Sequence, residues 1–203
     1  MPMVQDREYR AMTTPLMIPA ETVNKRYDSD YYVEGYATTF DDPYMLFEWD
    51  GVKYYERIAA DALTGADTSD VIFQYNHAGK VFARISNHTL GLEADKKGLF
   101  TFADLSKSAA AKELHEEIRN GLVTKMSWAF TVAEDAYNRD THTRTITKIK
   151  KVYDVSAVSI PANDNTSISA RSYFDGVIER EKAERLERRK QILKIFLEME
   201  NRR

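Results

Sequence analysis

Lys125-Met126-Ser127-Trp128-Ala129-Phe130 stands just after Asn120-Gly121, a helix-stop pair. Alternation along it puts Lys125, Ser127, Ala129 and Thr131 on one face, and Met126, Trp128, Phe130 and Val132 on the other. The second face is core, so the stretch reads as a strand carrying a lone serine on its less apolar side. Fifty residues upstream, Val71-Ile72-Phe73-Gln74-Tyr75 is a compact apolar strand that delivers Asn76-His77. A serine and a histidine at two strand ends make a nucleophile and a base only if the fold joins them. A solvated hydroxyl and a histidine capping a strand end are the plainer readings.

Working outward, strand-like runs recur with turn residues every eight to twelve positions. They are Tyr32–Phe40, Lys53–Arg57, Val81–Ser86, Thr89–Ala94, Leu99–Ala103, Arg144–Lys150 and Val152–Ile160. Ile58 to Leu63 suggests a helical turn or two. Ser108 to Asn120 has an apolar stripe of Ala109–Ala111, Leu114 and Ile118, with Ser106 or Ser108 as the cap. Many short strands around one or two helices predict a mainly β, α+β domain closed, or nearly closed, into a barrel, because closure removes exposed strand edges. Residues 1–30 mix charge with prolines and read as a mobile arm, Leu16-Met17-Ile18 adding an edge strand. Residues 31–173 form the barrel domain. From 174 to 203 a charged helix follows, its stretch from Glu179 holding nine basic and six acidic residues, with Leu186, Ile192, Leu193, Phe196, Leu197 and Met199 as a short apolar stripe.

Composition narrows the chemistry. The 203 residues carry a net charge of −3, which gives no electrostatic case for nucleic acid or a membrane surface as partner. Cysteine is absent, so disulfides and thiolate chemistry are excluded. No apolar run approaches transmembrane length, and the N-terminus lacks a secretory pattern, which predicts a soluble intracellular domain. The isolated glycines build no phosphate-binding loop, and the four histidines fit no metal-binding spacing, so no cofactor and no metal are expected. His88 sits in a turn, His115 reads as the exposed side of the helix, and His142 lies in a polar loop. Asp154 alternates with Val152, Ser156 and Val158 inside an apolar strand. Its burial calls for a partner, either a histidine N–H or a basic side chain.

These pieces fall in the order of a known family. Glu34-Gly35-Tyr36-Ala37-Thr38-Thr39-Phe40, Glu56-Arg57-Ile58-Ala59-Ala60-Asp61-Ala62-Leu63, Phe73-Gln74-Tyr75-Asn76-His77 and Gly98-Leu99-Phe100 are followed by Asn120 to Phe130. Val155-Ser156-Ala157-Val158-Ser159-Ile160-Pro161-Ala162-Asn163 closes the set. Together they resemble the prohead serine proteases of tailed bacteriophages, whose fold is related to herpesvirus assemblin. Asp61 stands where that family has glycine, Ala83-Arg84 where Gly-Arg is common, and Asp154 where glutamate is usual. The resemblance implies a serine endopeptidase of capsid maturation with Ser127 as nucleophile, His77 as base and Asp154 as third member. Arg84 would be a helper for the oxyanion. It implies cleavage of the scaffolding segment of the major capsid protein and of the protease itself, inside the procapsid in the host cytoplasm. Activation of relatives by dimerising points to a homodimer, and the C-terminal helix is a candidate recruitment device. The competing reading is a non-enzymatic scaffold or structural capsid-assembly protein of the same fold.

Overall fold

The computed structural model describes residues 7–19, 25–159 and 163–200, the side chains of 12–14, 163–172 and 200 excepted. Ten strands and two α-helices run in the order β1 (Glu8–Pro15), β2 (Tyr32–Thr39), β3 (Tyr44–Trp49), β4 (Val52–Ile58), β5 (Ile72–Tyr75), β6 (Ala78–Arg84), β7 (Leu90–Ala94), β8 (Gly98–Asp104), α1 (Ala109–Arg119), β9 (Lys125–Asn138), β10 (Thr143–Val158) and α2 (Asn163–Glu200).

The long β9–β10 hairpin is the axis. β1 pairs antiparallel with the outer edge of β9, and β10 takes two parallel partners on its other edge. β4 lies along residues 143–146 of β10, and β5 along residues 154–157. With β3 beside β4 and β6 beside β5, these make a seven-stranded sheet, while β2, β8 and β7 make a separate three-stranded one. Single bridges, Met17 to Glu34 and Phe40 to Ile58, stitch the two sheets together. Among the described residues the ladders do not close into the ring that the strand count suggested. The α+β class, mostly strands, holds.

The core lies between the sheets and under α1. Trp128, Phe130, Ile58, Phe73, Ile146, Ile149 and Leu105 are fully buried within it, joined by Leu114 and Ile118 of α1. Ser108 caps α1, its side chain accepting from the Ala111 N–H at 3.1 Å, and Gly121 takes the left-handed position beyond the helix at φ 73°. Gly35 is where the sheets come close. A Cβ there would stand 2.8 Å from the Met126 sulfur and 3.0 Å from the Pro15 carbonyl oxygen, so no larger residue fits without backbone movement.

Several expectations are corrected. Residues 8–15, read as part of a mobile arm, form β1, because Arg10 is wholly buried in an ion cluster with Glu56; residues 1–6 and 20–24 lie outside the described set. β3 was not foreseen, and residues after Ile58 form turns rather than helix. The two strands expected over 144–160 are one continuous β10 to Val158, and Ile160–Ala162 lie outside the described residues. The chain divides into a unit of residues 1–167 and a second of residues 168–203, ahead of the boundary expected at 173. In the second unit the stripe residues Leu186, Ile192, Leu193, Phe196, Leu197 and Met199 are all exposed. Lys182–Glu179 and Lys190–Glu187 pairs line the helix surface.

Candidate active site

Register brings the site together. Across the β9–β10 ladder, Ser127 stands opposite Ser156 and Ala129 opposite Asp154. Directly opposed residues share a face, so Asp154 and Ser156 lie on the Ser127 side of the sheet. Val152 pairs with Phe130 and Val155 with Trp128, both on the core side. Val152 and Val155 share that face although three residues apart, because the register shifts between Val152 and Asp154. This bulge turns Asp154 away from the face of Val152, correcting the simple alternation expected for the strand.

His77 arrives from the neighbouring hairpin. Tyr75 and Ala78 pair across a two-residue loop, and Asn76 and His77 have φ of 50° and 55°, the signature of a type I′ turn. The turn is tied to β10 by the Asn76 N–H to the Ala157 carbonyl at 3.0 Å. A reciprocal pair between Asn76 and Ser159 adds to this: the amide donates to the hydroxyl at 3.3 Å, and the Ser159 N–H donates to Asn76 Oδ1 at 3.2 Å. From there the imidazole reaches across β10 to β9.

The result is a continuous chain. His77 Nε2 lies 2.6 Å from Ser127 Oγ, and Nδ1 lies 2.6 Å from Asp154 Oδ1. In the tautomer that serves both contacts, Nδ1–H donates to the carboxylate and Nε2 accepts from the hydroxyl. All three residues predicted from the sequence are thus in hydrogen-bond contact. Asp154 is 4% exposed, and Ser127 has no exposed surface, so its whole strand segment from Met126 to Thr131 is buried on both faces. The Tyr9 ring, from β1, meets the His77 imidazole edge-on at 4.8 Å.

The remaining candidates lie elsewhere. Arg84 is engaged by Asp70 at 2.5 Å. His88 closes a short 3₁₀ turn with φ 59°. His142 Nδ1 pairs with the Tyr137 hydroxyl at 3.0 Å. His115, expected on the exposed side of α1, is buried against Tyr31; among the described residues neither ring nitrogen has a hydrogen-bond partner, with Glu116 Oε1 3.7 Å from Nδ1. Among the described residues, no group of three or more His, Asp or Glu side chains is placed to hold a metal ion.

Two features escaped the sequence pattern. Ser156 is one, although its place two residues from Asp154 on the same face was a usable signal. The other is the ion cluster built on buried Arg10, Glu56 and Arg144, with half-buried Glu8, Asp135 and Tyr44 around them. Glu56 Oε1 accepts from Arg10 Nε at 2.5 Å and from the Tyr44 hydroxyl at 2.6 Å, and Oε2 accepts from Arg10 at 2.8 Å and Arg144 at 3.2 Å. Burial alone would raise the Glu56 pKa, but the two guanidiniums hold it below its ordinary value. Burial pushes the Tyr44 phenol well up, with Glu56 adding to it.

Comparison with known proteins points to one family. The family model described as Caudovirus prohead serine protease matches residues 19–178. A prohead protease of Enterobacteria phage HK97 is 28% identical over 145 residues, which cover 71% of this chain and 61% of that relative. The chain therefore spans less than two thirds of the relative's length. No solved structure matches.

Proposed function

The chain belongs to the Caudovirus prohead serine protease family, and we propose that it is a serine endopeptidase of phage capsid maturation. The observation that carries this reading is the unbroken Ser127–His77–Asp154 chain, with both contacts at 2.6 Å. His77 Nε2 takes the Ser127 proton as Oγ attacks the peptide carbonyl carbon, giving a tetrahedral adduct. The adduct collapses to an ester on Oγ, and the Nε2 proton passes to the leaving amine. Nε2 then deprotonates a water that attacks the ester, which frees the acid product and restores Ser127. Asp154 holds the imidazole in the Nδ1–H tautomer and stabilises its charged form. An aspartate in place of glutamate serves because the bulge at residue 153 and the β9–β10 register already bring its shorter side chain to 2.6 Å from Nδ1.

The substrates under this reading are the scaffolding segment of the major capsid protein and the protease itself, cleaved inside the procapsid in the host cytoplasm. A homodimer and a fold related to assemblin belong to the same proposal. Purified Ser127→Ala protein should cleave a scaffold-containing substrate about 10⁴-fold more slowly or worse; cleavage near the wild-type rate would remove the assignment. The competing reading, a structural assembly protein that keeps the fold without turnover, is separated by covalent labelling. A serine-reactive phosphonate should modify Ser127 in the wild-type protein and fail to do so after His77→Ala.

A further inference from the structure

Ser156 is a buried hydroxyl for which the acyl-transfer steps above have no use. It stands directly opposite Ser127 in the β9–β10 ladder and has no exposed surface. Its Oγ donates to Asp154 Oδ1 at 2.8 Å, the same oxygen that His77 Nδ1 approaches at 2.6 Å. The same Oγ accepts from the His77 backbone N–H at 3.3 Å. One hydroxyl thus bonds the backbone of the base and the carboxylate behind it.

Both contacts answer a local need. His77 occupies a left-handed backbone position, φ 55°, at the place in a type I′ turn where glycine is favoured, so its conformation must be held by its surroundings. Asp154 has a freely turning carboxyl group, and one bond to the imidazole leaves its plane undetermined; the second donor on Oδ1 settles it. Serine is the smallest side chain that donates and accepts at once. Alanine in its place would leave the His77 N–H and one carboxylate lone pair without these partners in a buried setting.

We propose that Ser156 is a positioning residue, setting the His77 turn and the Asp154 carboxylate in one frame so that Nε2 stays aimed at Ser127 Oγ. It touches no reacting atom, and this assignment rests on the triad reading above. Misplacement of a catalytic group by about 1 Å costs on the order of 10²-fold. Ser156→Ala should therefore lower kcat on a scaffold-derived peptide by about 10- to 100-fold with KM little changed. In protein already carrying Asp154→Asn, the same change should cost clearly less than in the wild type, because only the bond to the His77 backbone is then left to lose. In the inactive Ser127→Ala background, the His77 Nδ1–H proton resonance should move and broaden when Ser156→Ala is added, while the amide spectrum keeps its folded dispersion.

Three outcomes would overturn the role: wild-type kcat in Ser156→Ala, an equal loss with and without Asp154→Asn, or general unfolding of the variant. Failure of the triad reading itself is distinguishable, since it would show as undiminished cleavage by Ser127→Ala alone.

Discussion

Glu56 shows how one side chain can decide a strand's neighbours. It is fully buried, with two guanidiniums and a phenol donating to it. Such a carboxylate stays charged only because those donors offset its lost hydration. Arg10→Ala removes its two shortest guanidinium contacts and leaves Arg144 at 3.2 Å, so unfolding stability should fall by about 3–5 kcal/mol; urea titration at neutral pH measures it. Joint replacement of Arg10, Glu56 and Arg144 by apolar residues should cost less than the single change, which a purely additive loss would contradict. His115 is the opposite case, a buried imidazole with no hydrogen-bond partner among the described residues. Burial lowers its pKa, opposed by nearby Glu116 and reinforced by Arg119 and Lys25. As pH falls below about 6.5, the unfolded chain takes up this proton before the folded one does, so stability declines. His115→Phe should flatten that acid slope in melting temperature while leaving the value at pH 7.5 nearly unchanged.

At the scale of elements, β1 and the His77 turn carry the consequences. β1 covers the edge of the strand that bears Ser127, with Ala11 paired to Ser127 itself, and it brings both Arg10 and Tyr9. Deleting residues 1–15 should open the β9 edge and strip Glu56 of Arg10, giving a protein that aggregates or melts well below wild type. Unchanged melting and activity after the deletion would show β1 to be dispensable. The two hairpin turns make an instructive pair. Asp50-Gly51 joins β3 to β4 with φ of 51° and 75°, a favoured type I′ dipeptide. Asn76-His77 adopts the same left-handed pair with a histidine where glycine is comfortable. The Asn76 amide anchors that turn to Ser159. Asn76→Ala loses both side-chain bonds and puts a less tolerant residue at φ 50°, so kcat on a peptide substrate should drop by about 10-fold or more.

For the whole molecule, the two units invite separate tests. The Ser127–His77–Asp154 contacts lie within residues 1–167, and the exposed apolar stripe of α2 lies within residues 168–203. If α2 recruits the protease to the assembling scaffold, deletion of residues 176–203 should reduce encapsidation, measured by protease content of purified proheads. Activity on a short peptide should persist; its loss would show that the helix serves the catalytic unit directly.

Much of the site was readable from residue order. Alternation marked the core face of β9, the apolar run before Asn76-His77 identified β5, and the ordered motifs singled out Ser127, His77 and Asp154. Asp50-Gly51 was a readable hairpin signal for β3 that alternation alone overlooked. Those features are local, because strand periodicity and turn chemistry act over a few residues. Three things were decided by tertiary structure. The bulge between Val152 and Asp154 shifts register against β9 and reassigns faces, which simple alternation cannot show. The N-terminal segment gains its strand from Arg10 finding Glu56, 46 positions away. Ser156 acquires its contacts because parallel pairing of β5 with β10 sets the His77 turn beside it. Each depends on pairing between segments distant in sequence, and that pairing is settled by packing and buried charge rather than by any residue's own preference.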